Sequence, residues 1–284
     1  MRSLLVLIMF FLAGFVTTSF AQEVPTPVKV TLVSNIDTVK PGDSFKLGAL
    51  MDIDPGWHIY WKYPGETGLP TKLKFTVPDG YQVAEVMWPV PSVYNKDNGG
   101  KDFGYDNSVL LWTDIEVPSN AQLDKSAKIE TQISWISCKE ICIPGKEKLV
   151  YDVTVSEQTK LTRKALFSKW HNYLPESIGD RENPFNFSVV TTELGDDITK
   201  VVLEVENKTH NEEIEYYPNP EDSLIIQNLK YIKSKEGEVT EISFDVQTQD
   251  GVLLSETVLD GLIVYSDSQK KRSAVEIKID FNDT

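Results

Sequence analysis

Alternating apolar and polar positions run through most of the chain. Val28, Val30 and Leu32, then Phe45, Leu47, Ala49 and Met51, then Leu73, Phe75 and Val77 recur every second residue with mostly polar or small neighbours. A period of two is the mark of half-buried strands, since successive side chains leave a strand on opposite faces. Pro41-Gly42, Pro78-Asp79-Gly80 and Val117-Pro118-Ser119 separate these runs, and such residues favour turns. Many short strands divided by turns predict an all-β chain built as sandwiches of the immunoglobulin type. Between Ser156 and Pro175 the period changes: Leu161, Ala165, Leu166, Trp170, Tyr173 and Leu174 recur at helical spacing. Thr159 is the expected N-cap and Pro175 the stop, giving a helix over 159–174. After Asn183-Pro184 the alternation returns, most plainly in Val275, Ile277, Ile279 and Phe281 set against Glu276, Lys278 and Asp280.

These patterns divide the chain into a β domain over 22–156, a helical linker over 157–175 and a second β-sandwich domain over 176–284. Residues 1–21 read differently. Arg2, an apolar run from Leu4 to Val16 and then Ser19-Phe20-Ala21 have the form of an export signal cleaved after Ala21. The run is roughly 13 residues long, short of the ~20 that a membrane-spanning helix needs. The expectation is an exported protein with no direct membrane span.

Composition narrows the function. The formal net charge is −15 at pH 7. Such a surface repels phosphate backbones, so nucleic acid is not an expected partner. His171 and His210 stand alone in the sequence and read as surface residues. Asn186-Phe187-Ser188 and Asn207-Lys208-Thr209 have the form of glycosylation sequons and are given no role. Gly65-Glu66-Thr67-Gly68-Leu69-Pro70 lacks the glycine-lysine ending of a phosphate loop and reads as a turn.

The chemistry concentrates on two cysteines, the chain's full complement, at Cys138 and Cys142. On a straight strand, positions four apart lie roughly 13 Å from each other, whereas a disulfide needs Cα atoms within about 4.4 to 6.8 Å. If the two pair, the chain must turn between them. Closing so short a loop contributes only on the order of 2 kcal/mol, against roughly 4 kcal/mol for a loop of about fifty residues. A structural clip on a hairpin and an exchanging pair both fit the spacing. Ile129, Thr131, Ile133 and Trp135 form one face of the strand that leads in. Cys138 and Cys142 fall on the other, more polar parity, which predicts both sulfurs away from the core. Five of the six tryptophans, Trp57, Trp61, Trp88, Trp112 and Trp135, share this half of the chain.

Several motifs together resemble a known family. Trp57-His58-Ile59-Tyr60-Trp61-Lys62, Pro64-Gly65-Glu66-Thr67-Gly68-Leu69-Pro70-Thr71, Trp88-Pro89, Phe103-Gly104-Tyr105, and Trp135 with Cys138-Lys139-Glu140-Ile141-Cys142-Ile143-Pro144-Gly145 resemble the N-terminal periplasmic domain of the DsbD and ScsB thiol-disulfide reductases. The likeness covers 28–156 closely. The remainder resembles, less distinctly, the further β domain of ScsB-like members. The resemblance implies a thiol-disulfide oxidoreductase component whose Cys138/Cys142 pair shuttles electrons. The donor would be a thioredoxin-like domain or a membrane thiol reductase, here a separate protein. The acceptors would be periplasmic proteins that contain disulfides.

It implies further that Cys142 attacks, that Cys138 resolves, and that His58 and Tyr60 flank the sulfurs, with Phe103 the candidate for an aromatic cap. No cofactor or metal is expected. An imidazolium at His58, aided by Lys139, would stabilise the attacking thiolate. Two alternatives come from other classes: a Cu(I)- or soft-metal-handling protein using Cys138, Cys142 and His58, and a non-catalytic interaction module with a structural disulfide. On the redox reading, 22–156 is expected to be a sufficient unit and the second half to affect partner choice more than chemistry.

Overall fold

Among the described residues the chain forms nineteen strands and one α-helix. The structure, a computed structural model, describes residues 26–65, 67–96, 100–176, 185–195, 198–207, 213–233, 239–249, 251–266 and 272–282. The expected export signal and its cleavage site lie outside the described residues. Among the described residues no helix is long and apolar enough to cross a membrane.

The first sandwich is built from β1 (Val28–Ser34), β2 (Ile36–Val39), β3 (Ser44–Ile53), β4 (His58–Gly65), β5 (Lys72–Thr76), β6 (Gln82–Val83), β7 (Ser92–Asn95), β8 (Lys101–Asp106), β9 (Ser108–Glu116), β10 (Ser126–Cys138), β11 (Cys142–Val155) and β12 (Lys160–Leu161). One sheet has the order β1-β3-β9-β6. The other runs β12-β2-β11-β10-β4-β8-β7, with β5 also paired to β10. The expected parity holds: Phe45, Leu47, Ala49 and Met51 are buried, as are Ile129, Thr131, Ile133 and Trp135. Burying each large apolar side chain contributes about 1.5–3 kcal/mol, so an intact period sets which face of a strand turns inward.

The second sandwich contains β13 (Phe185–Gly195), β14 (Ile198–Asn207), β15 (Glu213–Asn219), β16 (Leu224–Lys233), β17 (Val239–Thr248), β18 (Val258–Ser266) and β19 (Arg272–Asp280). Its sheets are β13-β14-β17-β16 and β15-β18-β19. Val275, Ile277, Ile279 and Phe281 point into its core as their alternation predicts. The chain is thus all-β, two immunoglobulin-like sandwiches joined by a short helical segment.

That segment departs from its expected limits. The helix α1 spans Lys164–His171, with Arg163 at its N-cap in a left-handed conformation. Thr159 does not cap it. Its hydroxyl accepts the Lys40 N–H at 2.9 Å and donates to the Asp43 carboxylate at 2.5 Å. Lys160 and Leu161 instead extend the sheet as β12, opposite Thr38 and Ile36 of β2. The open edge of β2 offers backbone hydrogen bonds that compete with helix formation, and Leu161, counted above as a helical core position, is 52% exposed.

Nor is α1 a detached linker. Phe167 and Trp170 are buried in the core cluster of the first sandwich, where Phe167 meets Trp112 edge-on at 6.3 Å. The same cluster takes in Tyr217, Leu262, Val264 and Ala274 of the second sandwich. Glu176, just past the helix, bridges to Val275 of β19. The two sandwiches share an apolar seam.

Candidate redox site

The β10–β11 hairpin pairs without interruption from Ser126 opposite Thr154 to Cys138 opposite Cys142. The cysteines therefore face each other on its last rung and are joined by a disulfide, with Cα atoms 4.1 Å apart. The required turn is Lys139-Glu140-Ile141, closed by the Lys139 N–H donating to the Ile141 carbonyl at 3.0 Å. The Ser137 hydroxyl donates to the Ile143 carbonyl at 3.0 Å and ties the strand ends together.

The two sulfur-bearing residues differ in access. Cys142 is exposed, while Cys138 is only 3% exposed. Strand order gives the cause. Cys138 sits between β11 and β4, whereas β11 meets its other neighbour, β2, only at Thr154 and Val155, leaving the flank of Cys142 open. Polar parity predicts both sulfurs outward; Cys142 conforms, and Cys138 is covered by what stands on the same face. Ile141, at 60% exposure, stands beside the opening.

Register identifies that cover. Cys138 pairs with His58 of β4, and His58 with Asp106 of β8. Next along come Tyr60 opposite Gly104 opposite Ser92, and then Asp102 opposite Tyr94. Directly opposed residues of antiparallel strands project from one face. Cys138, His58, Tyr60, Asp102, Tyr94 and Asp106 accordingly share a face. The Tyr94 ring stacks on the His58 ring with centroids 4.3 Å apart, and Tyr60 meets the same imidazole edge-on at 5.2 Å. The Tyr94 hydroxyl donates to Asp106 at 3.3 Å.

His58 and Tyr60 thus stand in one cluster on the disulfide side. Phe103 does not join them. One position out of step with Asp102 and Gly104, it points through the sheet to the core and packs at 4.5 Å against Tyr217. The aromatic ring over His58 is that of Tyr94.

Beneath this cluster the Asp102 carboxylate is fully buried. It accepts the Thr67 N–H at 3.1 Å and the Thr67 hydroxyl at 2.6 Å, and pairs with the Lys96 ammonium at 2.6 Å. Buried charge is stable only when so compensated. The contacts draw the turn around Gly68 down onto Tyr60. A Cβ at Gly68 would lie 2.4 Å from the Tyr60 ring, and its φ of +88° also demands glycine. The Thr71 hydroxyl donates to the Tyr60 carbonyl at 2.6 Å.

Electrostatics follow from this packing. Burial, and secondarily Asp102, raises the Tyr60 phenol. Burial together with Asp106 raises Tyr94 further, so both rings stay protonated. Burial and then Lys96 lower the His58 imidazole, outweighing Asp102 and Asp106. Its Nε2 is enclosed with no hydrogen-bond partner among the described residues. His58 is therefore neutral at pH 7, and it meets the pair as an uncharged imidazole rather than as the expected cation. Lys139 is exposed, its side chain resting over Gly56.

The lowered His58 pKa carries a signed consequence for stability. Below about pH 6.5 the unfolded chain takes up a proton that the folded chain resists, so stability falls as pH drops from there toward the folded value. His58→Phe removes this penalty. Urea unfolding at pH 7 and pH 5 should show a smaller acid loss for the variant than for the native chain. Equal losses would place the acid sensitivity elsewhere.

Among the described residues no three His, Cys, Asp or Glu side chains are grouped to hold a metal ion. What the face can do is present one sulfur of a disulfide to an incoming thiol while shielding the other.

Known proteins add two findings. Residues 25–154 match the family described as the N-terminal part of the thiol:disulfide interchange protein DsbD. The whole fold is similar to the crystal structure of the N-terminal periplasmic domain of ScsB from Proteus mirabilis, with a TM-score of 0.64 and 16% identity over 90% of this chain and 94% of that one. No curated protein matches the chain.

Proposed function

Since residues 25–154 belong to the family of the DsbD N-terminal domain, we propose that this protein performs thiol-disulfide interchange through Cys138 and Cys142. The observation that carries the reading is the asymmetry of the pair, with Cys142 open at the sheet edge and Cys138 covered beside His58.

Electron flow divides into two exchanges. A donor thiolate attacks the Cys142 sulfur, the Cys138–Cys142 bond breaks, and Cys138 leaves as a thiolate that takes up a proton. The donor's second thiol then attacks the donor sulfur of this mixed disulfide, releasing Cys142 and leaving the donor oxidised. In the second half the Cys142 thiolate attacks an acceptor disulfide and expels one acceptor thiolate. Cys138 attacks Cys142, re-forms the internal bond and frees the second acceptor thiol. Two electrons pass from donor to acceptor and no cofactor is consumed. Cys142 is the exchanging sulfur and Cys138 the resolving one, with His58 and Tyr60 as the flanking wall.

The reading extends to location and partners. The protein is exported to the periplasm with its signal cleaved after Ala21, as the sequence of that segment suggests and as the periplasmic setting of the ScsB domain supports. A thioredoxin-like domain or membrane thiol reductase donates, and disulfide-containing exported proteins accept.

The test is the reduction potential of the pair, measured by alkylation after equilibration in dithiol/disulfide buffers. Exchange proteins lie at roughly −120 to −270 mV, and structural disulfides below about −300 mV. A value in the first range is expected. One below the second makes the bond a clip.

A further inference from the structure

The strands that wall the disulfide are gripped from behind by the second sandwich. β7 is a four-residue edge strand that, among the described residues, pairs only with β8, yet it carries Tyr94, the ring over His58. A strand so short and paired on one side is weakly held by its own ladder. Just before it, the Val90 N–H donates to the Tyr173 carbonyl at 2.8 Å, and the second sandwich adds support through Arg272 at the start of β19. The Arg272 guanidinium donates to the carbonyl of Pro91, the residue before β7, at 3.1 Å, and to the Tyr217 hydroxyl at 2.7 Å. The Tyr217 hydroxyl donates in turn to Glu215 at 2.8 Å, and Glu215 pairs with Lys101 of β8 at 2.6 Å. The Lys101 ammonium also lies 4.3 Å from the centre of the Tyr231 ring. Phe103, on the core face of β8, packs on Tyr217. Burial alone would raise the Glu215 carboxyl, but Lys101, Tyr217 and Arg272 hold it below its ordinary value, as in a compensated network.

We infer that the second sandwich is a brace for the redox face, and that Arg272, Tyr217 and Glu215 are positioning residues acting through β7 and β8 on Tyr94. This rests on Cys138–Cys142 being an exchanging pair. The polar chain from Lys101 through Glu215 and Tyr217 to Arg272 fixes the two strands relative to each other, and the stack of Tyr94 on His58 depends on that spacing. Releasing it loosens the cover over Cys138 without touching either sulfur.

The experiment uses the full mature protein and dithiothreitol as the reductant. Rates of disulfide reduction are compared for the native chain, Arg272→Gln, Glu215→Gln, Tyr94→Ala, and each interface change combined with Tyr94→Ala, with near-ultraviolet circular dichroism to confirm the fold. Loosening should raise the rate at least threefold in Arg272→Gln and in Tyr94→Ala. The pair combined should be no faster than Tyr94→Ala alone, because both act through one ring. Arg272→Lys, which keeps a donor, should recover part of the native rate. Should Arg272→Gln fail to fold, Glu215→Gln decides by the same criteria. Native rates in both interface variants, alongside an accelerated Tyr94→Ala, would overturn the brace and leave the exchange reading standing. So would fully additive effects. A native disulfide that equilibrates only below about −300 mV would instead remove the exchange reading itself.

Discussion

Cys138→Ser is expected to leave a folded protein whose remaining thiol, Cys142, captures a thioredoxin-like partner as a stable mixed disulfide, while Cys142→Ser captures almost none. The difference should be at least tenfold, read both as trapped adduct on non-reducing gels and as the rate of each lone thiol with Ellman's reagent. Its basis is access: attack on a sulfur requires an open line of approach, which Cys142 has at the edge of β11 and Cys138 lacks under His58. Both variants should fold. The 13-residue β10 is zipped to β11 along its whole length, and closing a loop of about five residues contributes only about 2 kcal/mol. Equal trapping by the two variants would remove the assignment of roles.

Truncation should have the larger effect on stability. The sequence divides the chain after residue 156, but Phe167 and Trp170 of α1 are buried in the first sandwich and β12 closes the edge of β2. Removing a buried Phe or Trp side chain costs about 3–5 kcal/mol, and whole domains are stable by only about 5–15 kcal/mol. A fragment of residues 22–156 is therefore expected to be largely unfolded at 25 °C. Residues 22–176 should fold, with a urea midpoint below that of the full mature chain because Phe103 loses Tyr217. Similar midpoints for the two fragments would show α1 to be the free linker that its position in the sequence suggests.

What could be read in advance divides by the range of the interactions involved. The period of two placed Ile129, Ile133 and Trp135 inward because parity is a local property of one strand, and the spacing of Cys138 and Cys142 required a turn because a straight strand cannot close the gap. The start of α1 was misplaced because Leu161 fits a helical period as well as it fits a strand. The choice depends on the open edge of β2, more than a hundred residues earlier in the chain. That Tyr94, and not the expected Phe103, stands on the His58 ring has a related cause. Which of the three aromatics in 94–105 shares a face with Cys138 is set by the register of β4, β8 and β7, and neighbouring residues do not specify it. Asp102 and Asp106 carried no signal as single acids. They became legible only once Thr67, Lys96 and Tyr94 were seen against them. The contacts of Arg272 with Pro91 and of Glu215 with Lys101 join distant halves of the chain, so no local pattern could announce them.

The two-sided use of β8 bears on how this protein can change over evolutionary time. Asp102, Gly104 and Asp106 serve the disulfide face, while Phe103 and Tyr105 serve the buried side between them. Substitution at one position disturbs one side. An insertion or deletion of a single residue within Lys101–Asp106 would instead exchange the two sets, sending Phe103 toward the sulfurs and a carboxylate into the apolar seam. Lineages carrying this strand are therefore held to a fixed length there even where its composition drifts, and adjustments in length must fall outside it.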